Sequence, residues 1–169
     1  NAPITIEGVT LAPHSVYACV DGGLDNDIGL MLLRKKSMGA GWNGGTTVTV
    51  QDPFSGQDYA VQFDRPEEVN IYMQVTVRAG APFADVPNTI RAAILQYANG
   101  EQTDEDGFVV GGDVSAFEIA SAVNRIAAPI YIVNLEMSTD NVAFSTATIP
   151  ITIGQVARTA PGFISVTVT

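Results

Sequence analysis

Reactive side chains are scarce in this sequence: it holds one cysteine, Cys19, one histidine, His14, and one tryptophan, Trp42. A single cysteine permits no disulfide within the chain. Its place in the apolar run Val16-Tyr17-Ala18-Cys19-Val20, with no basic neighbour to lower its pKa, suits a small buried hydrophobe. One histidine leaves neither a multi-histidine metal site nor the usual His-based nucleophilic constellation to assemble, and no serine sits in a nucleophile elbow. His14, beside Pro13 at a strand start, reads as a turn or packing residue. Positive charge is short as well, with 8 Lys and Arg against 18 Asp and Glu and a formal net charge of −10. Such a surface repels phosphate backbones and anionic lipid, so neither nucleic acid nor membrane is expected as a partner. The longest strongly apolar run, Ile28 to Leu33, has a glycine inside it and falls far below the roughly 20 residues that span a bilayer; nothing at the start reads as a signal peptide.

What is present suits a packed core: 46% of the 169 residues are hydrophobic and 15% charged, with seven Phe and five Tyr. Ile4 to Leu11 and His14 to Val20 read as strands broken by Ala12-Pro13. A helix follows, capped by Asp25, Asn26 or Asp27, with Ile28, Met31 and Leu32 on one face widened by Leu30 and Leu33. Arg34-Lys35-Lys36 suits the C-terminal dipole, and the helix should stop near Met38, before Gly39. Thr46 to Val50 and Tyr59 to Phe63 alternate as a hairpin about Asp52-Pro53-Phe54-Ser55-Gly56. Val69, Ile71, Met73, Val75 and Val77 mark the clearest strand. A helix over Val86 to Ala98, capped by Asp85, carries the stripe Val86, Ile90, Ile94 and Tyr97. Phe108 to Val110 reads as a short strand. Ser115 to Glu118 matches a capping box for a helix over about Ala116 to Ile126, with Val114 and Ile119 placed as a staple. Strands are expected at Ile130 to Glu136, Ile149 to Ile153 and Phe163 to Val168. The pattern predicts an α+β fold of two small lobes, residues 3–66 and 67–169, each with antiparallel or mixed strands packed by one or two helices. Arg65-Pro66 is the natural boundary, because proline cannot donate to a ladder and restricts the residue before it.

Few motifs carry chemistry. Gly39-Ala40-Gly41-Trp42-Asn43-Gly44 spells G-x-G-x-x-G, but a dinucleotide site needs a strand before it and a helix after it, and here the order is reversed. A helix-ending turn is the better reading, and no cofactor is expected. Two acidic clusters, Asp21, Asp25 and Asp27 and then Asp104, Glu105 and Asp106, offer oxygen ligands of the kind calcium takes. Neither has the spacing of an EF-hand, and caps and a solvated loop explain them, so no metal is expected. Paired carboxylates for glycoside hydrolysis arise easily by chance among 18 acids. No catalytic residues are assigned. Two large aromatics, Trp42 in its loop and Phe54 at the hairpin turn, need not belong to the local core and are candidate interface residues. For Trp42, covering the core is the competing reading. A carbohydrate-binding or adhesin-type module would instead use Trp42, Tyr59 and Tyr72 as an aromatic platform.

Several segments, in collinear order, are familiar. Ser15-Val16-Tyr17-Ala18-Cys19-Val20-Asp21-Gly22-Gly23 precedes a short helix with Asp27-Ile28; Gly44-Gly45 precedes Val48-Thr49-Val50. Asp52 and Gly56 turn into Val61-Gln62-Phe63-Asp64-Arg65-Pro66, and the long Val69 to Val77 strand follows. With Gly111-Gly112-Asp113-Val114 and Ile130 to Leu135, these segments resemble the baseplate J-like family of contractile-tailed bacteriophages and related injection machines. The resemblance implies a structural subunit of the baseplate wedge with no catalytic residues, corresponding to the C-terminal portion of longer family members. It also implies other wedge and tail proteins as partners, self-association as a further option, and residence in the virion tail baseplate after assembly in the bacterial host cytoplasm.

Overall fold

Alternation and amphipathic stripes predict mixed secondary structure, and the computed structural model is α+β, with three α-helices and eleven strands in small sheets among the described residues. It describes residues 2–37, 39–79, 85–102, 106–127 and 130–169. Among these, no helix is long and apolar enough to cross a membrane. The chain forms two compact units, Asn1–Glu67 with Thr152–Gln155, and Glu68–Ile151 with Val156–Thr169. Thr152–Gln155, which the sequence reading puts in the second lobe, belongs with the first unit. There Glu67 N donates to Gly154 O at 2.9 Å, and Ile153 N donates to Glu7 Oε2 at 2.8 Å.

In the first unit the expected single strand over 4–11 is a hairpin, β1 (Ile4–Ile6) against β2 (Val9–Leu11). Glu7 and Gly8 both take positive φ, 47° and 87°, as a two-residue turn of matching twist requires. β3 (Ser15–Tyr17) runs parallel to β4 (Gly41–Asn43), so the loop expected around Trp42 is a strand. Cys19 extends β3 only as a bridge to Asp64. Helix α1 (Asp25–Lys35) has Leu24 at its N-cap and no side-chain cap. Asp25 and Asp27 lie inside its first turn, where they complement the dipole instead of capping, and Arg34 and Lys35 occupy its last turn. The helix ends at Lys36, whose N–H bonds Leu32 O at 2.9 Å; the expected stop at Met38 lies outside the described residues. Met31, expected on the packed face, is exposed. Gly29 is buried, because α1 lies on β5 (Thr46–Gln51) and β6 (Asp58–Phe63). These two strands pair antiparallel from Thr46↔Phe63 to Gln51↔Asp58, and bury Val50, Val61 and Phe63.

The second unit is built on β8 (Tyr72–Ala79), flanked by β9 (Ile130–Ser138) antiparallel and by β11 (Ile164–Val168) parallel. The long strand expected over 69–77 divides into β7 (Glu67–Asn70) and β8. At the break, Ile71 N donates instead to Arg158 O at 2.7 Å, and β7 lies beside β10 (Gln155–Arg158). Ile71, Met73, Val75 and Val77 are all buried, each contributing about 1.5–3 kcal/mol of transfer free energy. Helices α2 (Val86–Ala98) and α3 (Ala116–Ile126) pack on each other, α2 also on β11 and α3 on β9. The stripe Val86, Ile90, Ile94 and Tyr97 is buried as the spacing requires. Asp85 takes a left-handed conformation with φ 58° and makes no side-chain cap; its carboxylate accepts from Asn88 Nδ2 at 2.6 Å. The Ser115 hydroxyl does accept from Glu118 N, at 3.5 Å. Two expected strands dissolve into single bridges, Val110↔Val156 and Val114↔Ile149, while β10 has no counterpart in the sequence reading.

Candidate functional site

The C-terminal end of α1, β4 and the β5–β6 turn surround an open groove of about 430 Å³ in the first unit. Leu33, Arg34, Lys36 and Ser37 form one wall. Trp42, Phe54 and Tyr59 supply the aromatic surface, and Asp52 the one acid. The two candidate interface residues therefore meet at a single site, and Tyr59 of the alternative platform joins them.

Each aromatic is placed by local structure. Trp42 is the middle residue of β4, in register with Val16; it is half-buried, with Lys36 Nζ 4.9 Å from its ring centroid. This is the geometry of a cation–π contact. Trp42 also lines a smaller hollow of about 190 Å³ with Val16, Leu32 and Lys35, so it serves both core and surface. Phe54 is 92% exposed, although its backbone is fixed. Asp52 Oδ1 accepts from Phe54 N at 3.2 Å, and Oδ2 accepts from Ser55 N at 3.2 Å and from the Ser55 hydroxyl at 2.6 Å. Gly56 N then closes on Asp52 O at 2.8 Å, and Gln51 Nε2 bonds Gly56 O at 3.0 Å. The Ser55 hydroxyl above all, with the Phe54 N–H and the Arg34 charge among the smaller causes, holds the Asp52 carboxyl below its ordinary pKa. Tyr59 opens the strand face that continues inward as Val61 and Phe63.

A polar clamp steadies the chain leading into α1. The Arg65 guanidinium donates to Val20 O at 3.0 Å, to Gly22 O, to Gly23 O at 2.9 Å, and to Asp25 Oδ1 at 2.5 Å. Asp64 beside it accepts from Gly45 N at 2.5 Å. The Tyr17 hydroxyl is buried near Asp64 without reaching hydrogen-bond geometry, and burial first, then the carboxylate, push its pKa up. Burial likewise raises the half-buried Cys19 thiol, the opposite of what a nucleophile needs.

The other sequence candidates scatter. His14 is exposed with φ 55°, in a turn whose carbonyl accepts from Gly41 N at 2.7 Å. The G-x-G-x-x-G run leaves α1 and contains β4; its last glycine is required because a Cβ on Gly44 would fall 2.5–2.7 Å from Phe63 backbone atoms. Asp25 is bound to Arg65. Asp104 and Glu105 lie outside the described residues, among which no three His, Cys, Asp or Glu gather as a metal site requires. Tyr72 lies in the second unit, half-buried with its ring 4.5 Å from that of Phe163. Sequence reasoning assigns Arg34-Lys35-Lys36 to the helix terminus alone and misses their place on the groove. The available signal is that this is the longest run of bases in the chain. No protein-family model matches the chain, and no curated protein matches it.

Proposed function

We propose that the chain is an assembly module of a contractile-tail baseplate wedge, acting by protein–protein contact and not by catalysis, in the virion tail baseplate and with other wedge and tail proteins as partners. The observation that carries this reading is Phe54, a large apolar side chain held 92% exposed by a hydrogen-bonded turn beside Trp42 and Tyr59. Aromatic anchors on rigid supports are what protein interfaces concentrate at their centres. The collinear resemblance to the baseplate J-like family supplies the assembly to which such an anchor would belong.

Phe54→Ala and Trp42→Ala test the reading, with unfolding and incorporation into tail baseplates both measured. Phe54→Ala should stay within about 0.5 kcal/mol of wild type in stability, as exposed substitutions do, and fail to incorporate. Trp42→Ala should lose stability as well, because β4 is partly buried under it. Normal incorporation of Phe54→Ala would sink the assignment. A carbohydrate-binding module is the second reading, favoured by Trp42 and Tyr59 sharing one groove with polar Asp52 and Ser37. Glycan-array binding lost on Trp42→Ala would establish it.

A further inference from the structure

We infer that the groove at the C-terminal end of α1 docks an acidic segment of a partner protein, one that carries an aromatic or long aliphatic side chain beside its carboxylates. The inference rests on the assembly reading and names the chemistry of the partner. Its basis is how charge is distributed. The chain is acidic overall, with 8 bases and a net charge of −10, yet three of the bases are consecutive, Arg34-Lys35-Lys36. Arg34 and Lys36 line the groove, and Lys35 lines the adjoining hollow. Other bases are committed within the fold: Arg65 to Asp25 and three carbonyls, Arg91 to Ile164 O and Asn88, Arg158 to Glu68.

The one acid on the groove wall offsets only part of this charge. Asp52 feels the Arg34 charge, but it is a single carboxylate against Arg34 and Lys36, with Lys35 on the adjoining hollow, and its oxygens also hold the turn beneath Phe54. What the groove offers is therefore a positive lip over an apolar floor. A long polyanion such as nucleic acid would run from this lip onto a strongly acidic surface. A short acidic segment need sample only the lip, because charges beyond about 8 Å are screened at physiological salt. The aromatic floor asks for an apolar side chain in the same segment, and the fixed turn under Phe54 limits the ordering cost of binding it.

A random dodecapeptide library selected on the immobilised chain is the test, repeated on the Arg34→Gln/Lys36→Gln and Phe54→Ala variants after each is shown to fold by circular dichroism. Enriched peptides should combine Asp or Glu with Phe, Trp, Leu or Met. They should bind the wild type at least about tenfold more tightly than either variant, and more weakly as salt is raised. Enrichment of neutral or basic sequences, no enrichment at all, or equal binding to the charge-neutralised variant would each overturn the inference. Baseplate incorporation separates its failure from that of the assembly reading. If Phe54→Ala is excluded while Arg34→Gln/Lys36→Gln incorporates normally, the groove assembles but its partner is not acidic. Normal incorporation of both variants removes the two readings together.

Discussion

Replacing Gly29 with alanine sets two calculable effects against each other. Glycine inside a helix is about 1 kcal/mol less favourable than alanine, so propensity alone predicts that Gly29→Ala stabilises α1. Packing opposes it: a Cβ at this position would lie 2.6 Å from Val48 Cγ1 and 2.8 Å from Val50 Cγ1. Comfortable carbon contacts lie at about 3.5–4.0 Å, and valine is stiff about χ1, so neither methyl can swing aside cheaply. Overpacking of this kind costs about 1–3 kcal/mol, which leaves a net loss of about 0–2 kcal/mol, each kcal/mol lowering Tm by about 4–8 °C in a unit of this size. Trp42 is the sole tryptophan and lies in the first unit, so its fluorescence during urea unfolding reports on that unit. Because the net effect can fall near zero, Val48→Ala is added to make a double-mutant cycle. Removing the Val48 methyls should relieve the clash, with a favourable coupling of about 0.5–3 kcal/mol. A cycle without coupling, or a Gly29→Ala protein more stable than wild type, would refute the close seating of α1 on β5.

Two further outcomes are expected. Arg65→Lys keeps the charge but loses the fork that meets three carbonyls and Asp25, and should cost about 1–2 kcal/mol by the same fluorescence assay. Asp25→Asn should cost less, because the Asp25 side chain is 53% exposed and surface ion pairs contribute little; a larger loss in Asp25→Asn would contradict this division. In the second unit, Asp140 is held to a pKa of about 2, first by the Ser138 hydroxyl and then by the N–H groups of Ala143 and Val142. A depressed carboxyl stabilises the fold above its unfolded pKa, roughly 3.9, and loses that contribution as pH falls through about 2. Acid titrations followed by circular dichroism should show Asp140→Asn losing less stability over that window than wild type, and identical profiles would rule the linkage out.

Strong local signals made much of the fold legible. The stripe of α2, the Ser115 cap of α3 and the alternation of the β5–β6 hairpin each need only neighbours in sequence, and each appears where it was expected. Failures come where a distant partner decides. Ile149 to Ile153 alternates like a strand, but the segment makes a single bridge, at Ile149, and Ile151 N is taken by the Asp113 carboxylate at 2.9 Å. The groove was legible by halves for the same reason. A phenylalanine in a turn bounded by Asp52 and Gly56 announces its own exposure, whereas the placing of Lys36 against Trp42 depends on β4 pairing with β3, which no local pattern encodes.

That difference bears on how the site works. Ring side chains of this fold are buried where they face a sheet or helix, as Phe63 and Tyr97 are. Phe54 forgoes the roughly 1.5–3 kcal/mol that burying a side chain of its size provides. No folding interaction recovers that energy, because Pro53, Phe54 and Ser55 are all exposed and the turn is fixed by the polar contacts of Asp52 and Gln51. A partner that covers the ring would recover it without first having to order the backbone beneath. Phe54→Ala should therefore weaken binding by up to that amount while leaving the unfolding curve unchanged, a separation of effects that a core phenylalanine such as Phe63 cannot produce.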